Sequence, residues 1–199
     1  LTMNACSNST SGRRTAALPL TVVWLALAAL TLCLPKPSLA ATAAEINRDV
    51  DSALQTLYRT TPAARQVAKV AKGVLVFPHI VKGGLIIGGQ YGEGALRVGG
   101  KTTGYYKTVA ASYGLQAGAQ TFGYALFFLD NASMGYLKDS NGWEVGVGPN
   151  IVIMDEGTAR SFSTTTAQSG VYAFFFSQKG LMAGLGIQGS KISQIQPER

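Results

Sequence analysis

Three cations, Arg65, Lys69 and Lys72, recur at i, i+4 and i+7 along one stretch. Ala64, Val67, Ala68 and Ala71 mark the opposite side of the same helical wheel. No acid lies between residues 52 and 92, so the row is uncompensated locally. The chemistry such a row offers is electrostatic. A basic amphipathic helix can rest on an anionic surface. The same residues also fit the solvated face of a core-packed helix, with Lys69 and Lys72 favoured near its C-terminus. Lys82 follows one strand further on and extends the set of candidate lipid-contacting cations to Arg65, Lys69, Lys72 and Lys82.

Catalytic and metal chemistry find little support. Ala95–Thr102 matches a relaxed phosphate-loop pattern, but such a loop needs a helix directly after it. Thr103-Gly104-Tyr105-Tyr106 favours a strand instead, and a hairpin turn at Gly99-Gly100 explains the same residues. Gly89–Gly94 lacks the dinucleotide fingerprint and its βαβ setting. His79 is the single histidine, too few for a usual zinc site, and no nearby serine or carboxylate completes a triad. Asp155 and Glu156 are adjacent and read as a turn. Asn131-Ala132-Ser133 is a glycosylation pattern that a helix cap explains better. Cys6 and Cys33 both precede residue 40, which leaves the body without disulfides or thiolates. The expectation is a chain that is not an enzyme and needs no cofactor or metal.

With 199 residues, 47% of them hydrophobic and 14% charged, the chain suits one folded domain rather than disorder. The formal net charge is +7. Arg13, Arg14 and Lys36 fall in a segment expected to be removed, and without them the balance is about +4. That mild excess permits attraction to phospholipid and does not demand nucleic acid.

The first forty residues read as an export signal. Arg13-Arg14 begin it, an apolar run spans Ala16 to Leu34, and Ser38-Leu39-Ala40 offers a cleavage site. A retained membrane anchor is the rival reading. Leu30-Thr31-Leu32-Cys33 is a partial lipobox that would lipidate Cys33. Arg13-Arg14 matches a twin-arginine signal poorly. The expected compartment is the periplasm, with outer-membrane association or a lipid anchor at Cys33 as variants.

The elements that must position the cations follow. Thr42 to Glu45 is a capping box, and Ile46, Val50, Ala53, Leu54 and Leu57 give an apolar helical face ending near Tyr58. Thr61-Pro62 starts a second helix that Gly73 would close. Of 24 glycines, 23 lie between Gly73 and Gly189, where strand-like segments alternate with turns. The first of these, Gly73 to Val81, reads as a strand broken by Pro78. A G-L-x-x-G pattern begins at Gly84, Gly114 and Gly180. Glycine on a strand face lets backbones approach or the sheet bend. Asp130-Asn131 caps a short helix to Lys138. Val171–Ile192 reads as a terminal hairpin. Phe127-Phe128 and Phe174–Phe176 should each leave one ring facing outward. The fold class is α+β: N-terminal helices packed on a strongly curved, Gly-rich antiparallel sheet or partial barrel. Residues 41–199 form its single domain.

Four segments in order resemble the SYLF domain family of lipid-binding proteins. They are Lys72–Pro78, Lys82–Gly94, Gly142–Pro149, and Tyr172 with Ser177–Gly189. The likeness spans roughly Pro62 to Ile195. It implies binding of anionic phospholipids, phosphoinositides in eukaryotic relatives, with a basic amphipathic segment involved. It thereby favours the lipid reading of Arg65, Lys69, Lys72 and Lys82. Yeast relatives also bind actin. No SH3 domain is expected after residue 195, so the endocytic role is not carried over. An exported chain would meet phosphatidylglycerol, cardiolipin or a host lipid rather than phosphoinositides. The alternative class is an envelope structural or protein-interaction module, actin-binding-like or otherwise, with a merely solvated basic face. A hydrolase is the weakest reading. Lipid headgroup and oligomeric state are not legible.

The mature chain should start at Ala41. Intact-mass measurement of exported protein checks this, and a diacylated species starting at Cys33 would show a lipoprotein instead.

Overall fold

The computed structural model describes residues 41–113, 118–138, 142–154, 170–180 and 189–198. The expected export signal, the turns read at Ser140-Asn141 and Asp155–Gly157, the Ser/Thr loop of 161–169 and most of two G-L-x-x-G segments lie outside the described residues.

Helix α1, Ala43–Thr60, opens on the expected capping box. Thr42 Oγ1 accepts from the Glu45 amide, and Glu45 Oε2 accepts from the Thr42 amide at 2.9 Å. Ile46, Val50, Ala53 and Leu57 are its buried stripe. Helix α2, Pro62–Val70, buries Ala63, Ala64 and Val67. It ends two residues earlier than Gly73 would dictate, because Ala71 is already extended and the Lys72 amide donates to the Phe128 carbonyl. Gly73 is therefore the first residue of a strand rather than a cap. A Cβ there would lie 2.6 Å from Met134 Sδ.

The strands are β1 (Gly73–Gly84), β2 (Ile87–Val98), β3 (Lys101–Tyr113), β4 (Gly118–Phe128), β5 (Trp143–Glu144), β6 (Ile151–Met154), β7 (Val171–Gly180) and β8 (Lys191–Ile195). They form one sheet in the order β5-β8-β3-β2-β1-β4-β7-β6, curled into a half-barrel. The expected antiparallel pairing holds for every pair but β6 with β7, which run parallel. Residues 155–170 link that pair, enough chain for the crossover a parallel pair requires. At the β2–β3 turn Gly99 and Gly100 both take positive φ, 57° and 78°, as a two-residue hairpin loop favours. Strand follows directly, so Ala95–Thr102 has no phosphate-loop geometry.

Pro78 does not break β1. It sits in a bulge, between Val76 and His79 on the β2 side and between Phe77 and Ile80 on the β4 side. A bulge leaves a residue unpaired, which suits proline's missing N–H. Both neighbouring strands present glycine there. A Cβ on Gly94 would stand 2.0 Å from the Val76 carbonyl oxygen, and one on Gly123 would stand 2.8 Å from that of Pro78. The curl needs backbone contact that a side chain would prevent.

Each sheet face has its own core. One packs α1 and α2 against Val74, Val76, Ala95, Ala125, Phe127 and Phe174. The other, inside the curl, gathers Leu75, Phe77, Ile80, Tyr106, Phe122, Tyr124, Leu126 and Phe128. This overturns the expectation of outward rings. Phe127 and Phe128 are both buried, one in each core, and Phe174 and Phe176 face the helices while Phe175 packs inside the curl. The return strand of the expected Val171–Ile192 hairpin lies largely outside the described residues, but its two described ends have other neighbours. β7 pairs with β4 and β6, whereas Lys191 and Ile192 pair with β3 and β5. Alternation located strands but carried no information on partners.

A short helix α3, Asn131–Gly135, continues as a 3-10 turn over Tyr136–Lys138. Asp130 caps it through the Ser133 amide at 2.6 Å and also accepts from the Gly170 amide at 2.8 Å, tying α3 to the start of β7. These bonds, the Ser133 amide first, hold the Asp130 carboxyl below its ordinary pKa. Asp130→Ala should cost about 1–2 kcal/mol and lower the Tm by roughly 3–6 °C at neutral pH. A carboxyl whose pKa is depressed by folding stabilises above its unfolded pKa and ceases to do so as pH falls through the folded one. The gap between the two proteins should therefore close in thermal melts run from about pH 4 downward.

Candidate functional site

The four expected cations do not form one row. Arg65 and Lys69 are exposed on α2, and Lys72 is exposed just beyond its end. Arg65 Nη2 donates to the Tyr58 carbonyl at 2.7 Å, satisfying an orphan carbonyl in the last turn of α1. It thus clips the two helices together. Lys72 borders a groove of about 360 Å³ with Asp51, Tyr58, Arg97, Gly99 and Gly100. Lys82 lies near the other end of β1, about 30 Å away by the rise of a strand. It also lies on the other face: Lys82 alternates with Ile80 of the inner core, while Val81 shares the helix side.

Sequence reasoning missed Arg97, which fixes α1 to the sheet. Its guanidinium donates to Asp51 Oδ1 at 2.6 Å, to Thr102 Oγ1 at 2.6 Å and to the Asn47 carbonyl at 3.2 Å. Asn47 in turn bonds Thr102 and Tyr105. The guanidinium charge is met by Asp51, so Lys72 is the cation of that groove without an ion pair among the described residues. Nothing in the local pattern around Leu96-Arg97-Val98 announces a partner 46 residues upstream.

The second missed feature is a bare half of the helix-side face. α1 and α2 cover it as far as the bulge. Beyond that, directly paired residues form a row across six strands: Lys179, Thr121, Val81, Tyr91, Val109 and Lys191. Paired residues share a face, and all six are exposed. Val81 is 58% exposed, and Tyr91 and Val109 are each 43% exposed. The row is apolar at its centre, with Lys179 at one end and Lys191 near the other, where it pairs in turn with the exposed Glu144 of β5. The next row on this face is Ala119, Gly83, Gly89 and Ala111, flat and small. The β1–β2 hairpin then ends in Leu85, Ile86 and Ile87, exposed by 69%, 54% and 73%.

The border between covered and bare halves is polar. Tyr91 OH donates to Glu93, which also accepts from the Ala41 amide at 3.0 Å. Burial, then the Glu93 carboxylate, push the Tyr91 hydroxyl up to about 12, so it stays neutral. His79 Nε2 is 3.9 Å from Asp49 on the same border.

Among the described residues no group of three His, Cys, Asp or Glu side chains could hold a metal. No described helix is long and apolar enough to cross a membrane. What the arrangement offers is a charged end at α2 and an exposed apolar end at the β1–β2 hairpin. No protein-family model matches the chain, and no curated protein matches it.

Proposed function

We propose that this protein is a non-enzymatic module that binds the surface of anionic phospholipid membranes. The observation that carries the reading is the row Lys179–Thr121–Val81–Tyr91–Val109–Lys191, with the apolar hairpin tip beside it. An exposed apolar patch rimmed by charge marks an interaction surface. Lys179 at one end favours a negatively charged partner, and Lys191 adds to it less, because Glu144 is paired beside it. The likeness to the SYLF family supports the same ligand class.

Magnitudes rank the contacts. Each cation near an anionic surface contributes about 1 kcal/mol, so Lys179 and Lys191 together give at most about 30-fold in partitioning, reduced by the Glu144 paired with Lys191. Leu85, Ile86 and Ile87 are more than half exposed, and sinking them into lipid contributes about 1–2 kcal/mol each. The tip is therefore the larger contribution. Arg65, Lys69 and Lys72 add a long-range attraction that salt screens over about 8 Å.

Vesicle sedimentation tests this. The protein should bind phosphatidylglycerol-containing vesicles and bind phosphatidylcholine vesicles weakly. Replacing Leu85, Ile86 and Ile87 together by Ser should remove most binding at all salt concentrations. Replacing Arg65, Lys69 and Lys72 together by Gln should weaken it mainly at low salt, with the Tm lowered only by loss of the Arg65 clip. Equal sedimentation with both vesicle types, or none with either, sinks the proposal and leaves a protein-docking face.

A further inference from the structure

Inside the curl, on the face opposite the exposed row, Lys82 pairs directly with Gln90 of β2 and Gln120 of β4. The three side chains stand abreast on adjacent strands. Gln90 is 5% exposed and Gln120 is 1% exposed. Both amides have unsatisfied atoms: Gln90 Nε2, Gln120 Nε2 and Gln120 Oε1 have no hydrogen-bond partner. Lys82 has no ion pair among the described residues. Buried amides are nearly always paired, and an unpaired one costs stability. Two of them, one on each side of a lysine, form a built polar site in an otherwise apolar interior.

The surroundings define its shape. Its floor is the apolar row of Ile80 and Phe122 with Thr108. Thr108 Oγ1 accepts from the Tyr124 hydroxyl at 3.0 Å, and it makes no bond to the unsatisfied glutamine atoms. On the outer side the next paired residues on this face are Gly84, Gly88 and Gly118. No side chain from those three closes the way in from the hairpin end. The cluster therefore lies one row in from the hairpin end of the inner face, where Lys82 is half-buried and the two glutamines are covered.

The ligand's chemistry follows from the groups. Lys82 supplies one positive charge, and the two carboxamides supply N–H donors on either side. That set calls for an oxyanion. The strands carrying the two glutamines lie about 10 Å apart, two strand spacings, which is wider than one oxyanion. Gln120 Oε1 is an acceptor that an anion cannot satisfy and a hydroxyl can. We infer that this cluster binds an oxyanion that carries a neighbouring hydroxyl, with Lys82 as counter-charge, Gln90 and Gln120 as donors and Gln120 Oε1 receiving the hydroxyl. Glycerol phosphate has this chemistry, either free or as the headgroup of phosphatidylglycerol. The inference rests on the membrane reading only for the lipid source.

The experiment follows the glutamine side-chain NH2 signals of the ¹⁵N-labelled protein. The probes are sn-glycerol 3-phosphate, inorganic phosphate, glycerol, and short-chain phosphatidylglycerol below its micelle concentration. Glycerol 3-phosphate or the short-chain lipid should shift the Gln90 and Gln120 signals saturably, and more tightly than phosphate or glycerol alone. Lys82→Met should weaken that binding at least tenfold. Gln120→Met, of similar length and apolar, should also weaken it, yet raise the Tm of the ligand-free protein by about 2–4 °C by removing an unsatisfied buried amide. Saturation by the free ester assigns the site to soluble ligands, and saturation by the lipid alone assigns it to headgroups. Shifts absent with every probe, or unchanged by Lys82→Met, overturn the inference. A lowered Tm in Gln120→Met overturns it too, because the amide would then be a satisfied structural group. Vesicle sedimentation of Lys82→Met separates the two proposals: parent-like sedimentation with lost glycerol phosphate binding leaves the membrane surface intact, and the converse leaves the site intact.

Discussion

The backbone contact at the β1 bulge governs this structure. The Val76 and Pro78 carbonyls approach β2 and β4 so closely that only glycine fits opposite, at Gly94 and Gly123. The approach lets the sheet curl, and the curl makes the inner core of Phe77, Tyr124, Phe122 and Leu126 possible. The bulge also divides β1 in two. Val74 and Val76 before it lie under α1 and α2, and Val81 beyond it is uncovered. A side chain at residue 94 would flatten the sheet, open the inner core and abolish the contrast between covered and bare halves.

Local chemistry was legible in the sequence. The Thr42–Glu45 capping box, the helical stripe of Ile46, Val50, Ala53 and Leu57, the Gly99-Gly100 turn and the Asp130 cap each use residues a few positions apart. The fold class was legible for the same reason, since helical period gives way to alternation at Gly73. Pairing was not. Nothing in Val171–Phe176 distinguishes β4 from the following segment as its neighbour, and the choice is made by packing across the whole sheet. Two-sided burial of Phe127 and Phe128 depends on the curl, which comes from contacts between three strands. The cation row failed for a related reason. Helical spacing assumed that α2 continued to Lys72, whereas the Lys72 backbone is already paired with β4. Lys82 was placed by sequence proximity, and the length of β1 carried it to the far end.

The two ends of β1 serve different physics. At the start, Arg65 and Arg97 are engaged in holding helices to each other and to the sheet. Their charges are partly spent on structure, which leaves Lys69 and Lys72 as the freer cations. At the far end, the helix-side face has an apolar centre flanked by two lysines, and the inner face has Lys82 between unsatisfied glutamines. The sheet thus presents an exposed apolar face outside and a polar cluster inside, on opposite faces of the same few residues. Val81 and Lys82 are neighbours in sequence and face apart because strand side chains alternate.

The bare face must also avoid self-association. An exposed run such as Leu85-Ile86-Ile87 on a sheet is a hazard for pairing between copies. Lysines at the ends of an apolar strand face oppose such pairing by charge repulsion, and the same charges attract an anionic bilayer. Lys179 and Lys191 flank the row from β7 and β8, strands contributed by the end of the chain and brought beside β4 and β3 only by the completed sheet. The protection therefore arrives with folding and is absent before it. Charge at the rim of an apolar face disfavours contact with a like-charged copy and favours contact with a surface of opposite charge. That asymmetry is what the proposed reversible binding to an anionic surface requires, and it is set by where Lys179 and Lys191 fall in the register.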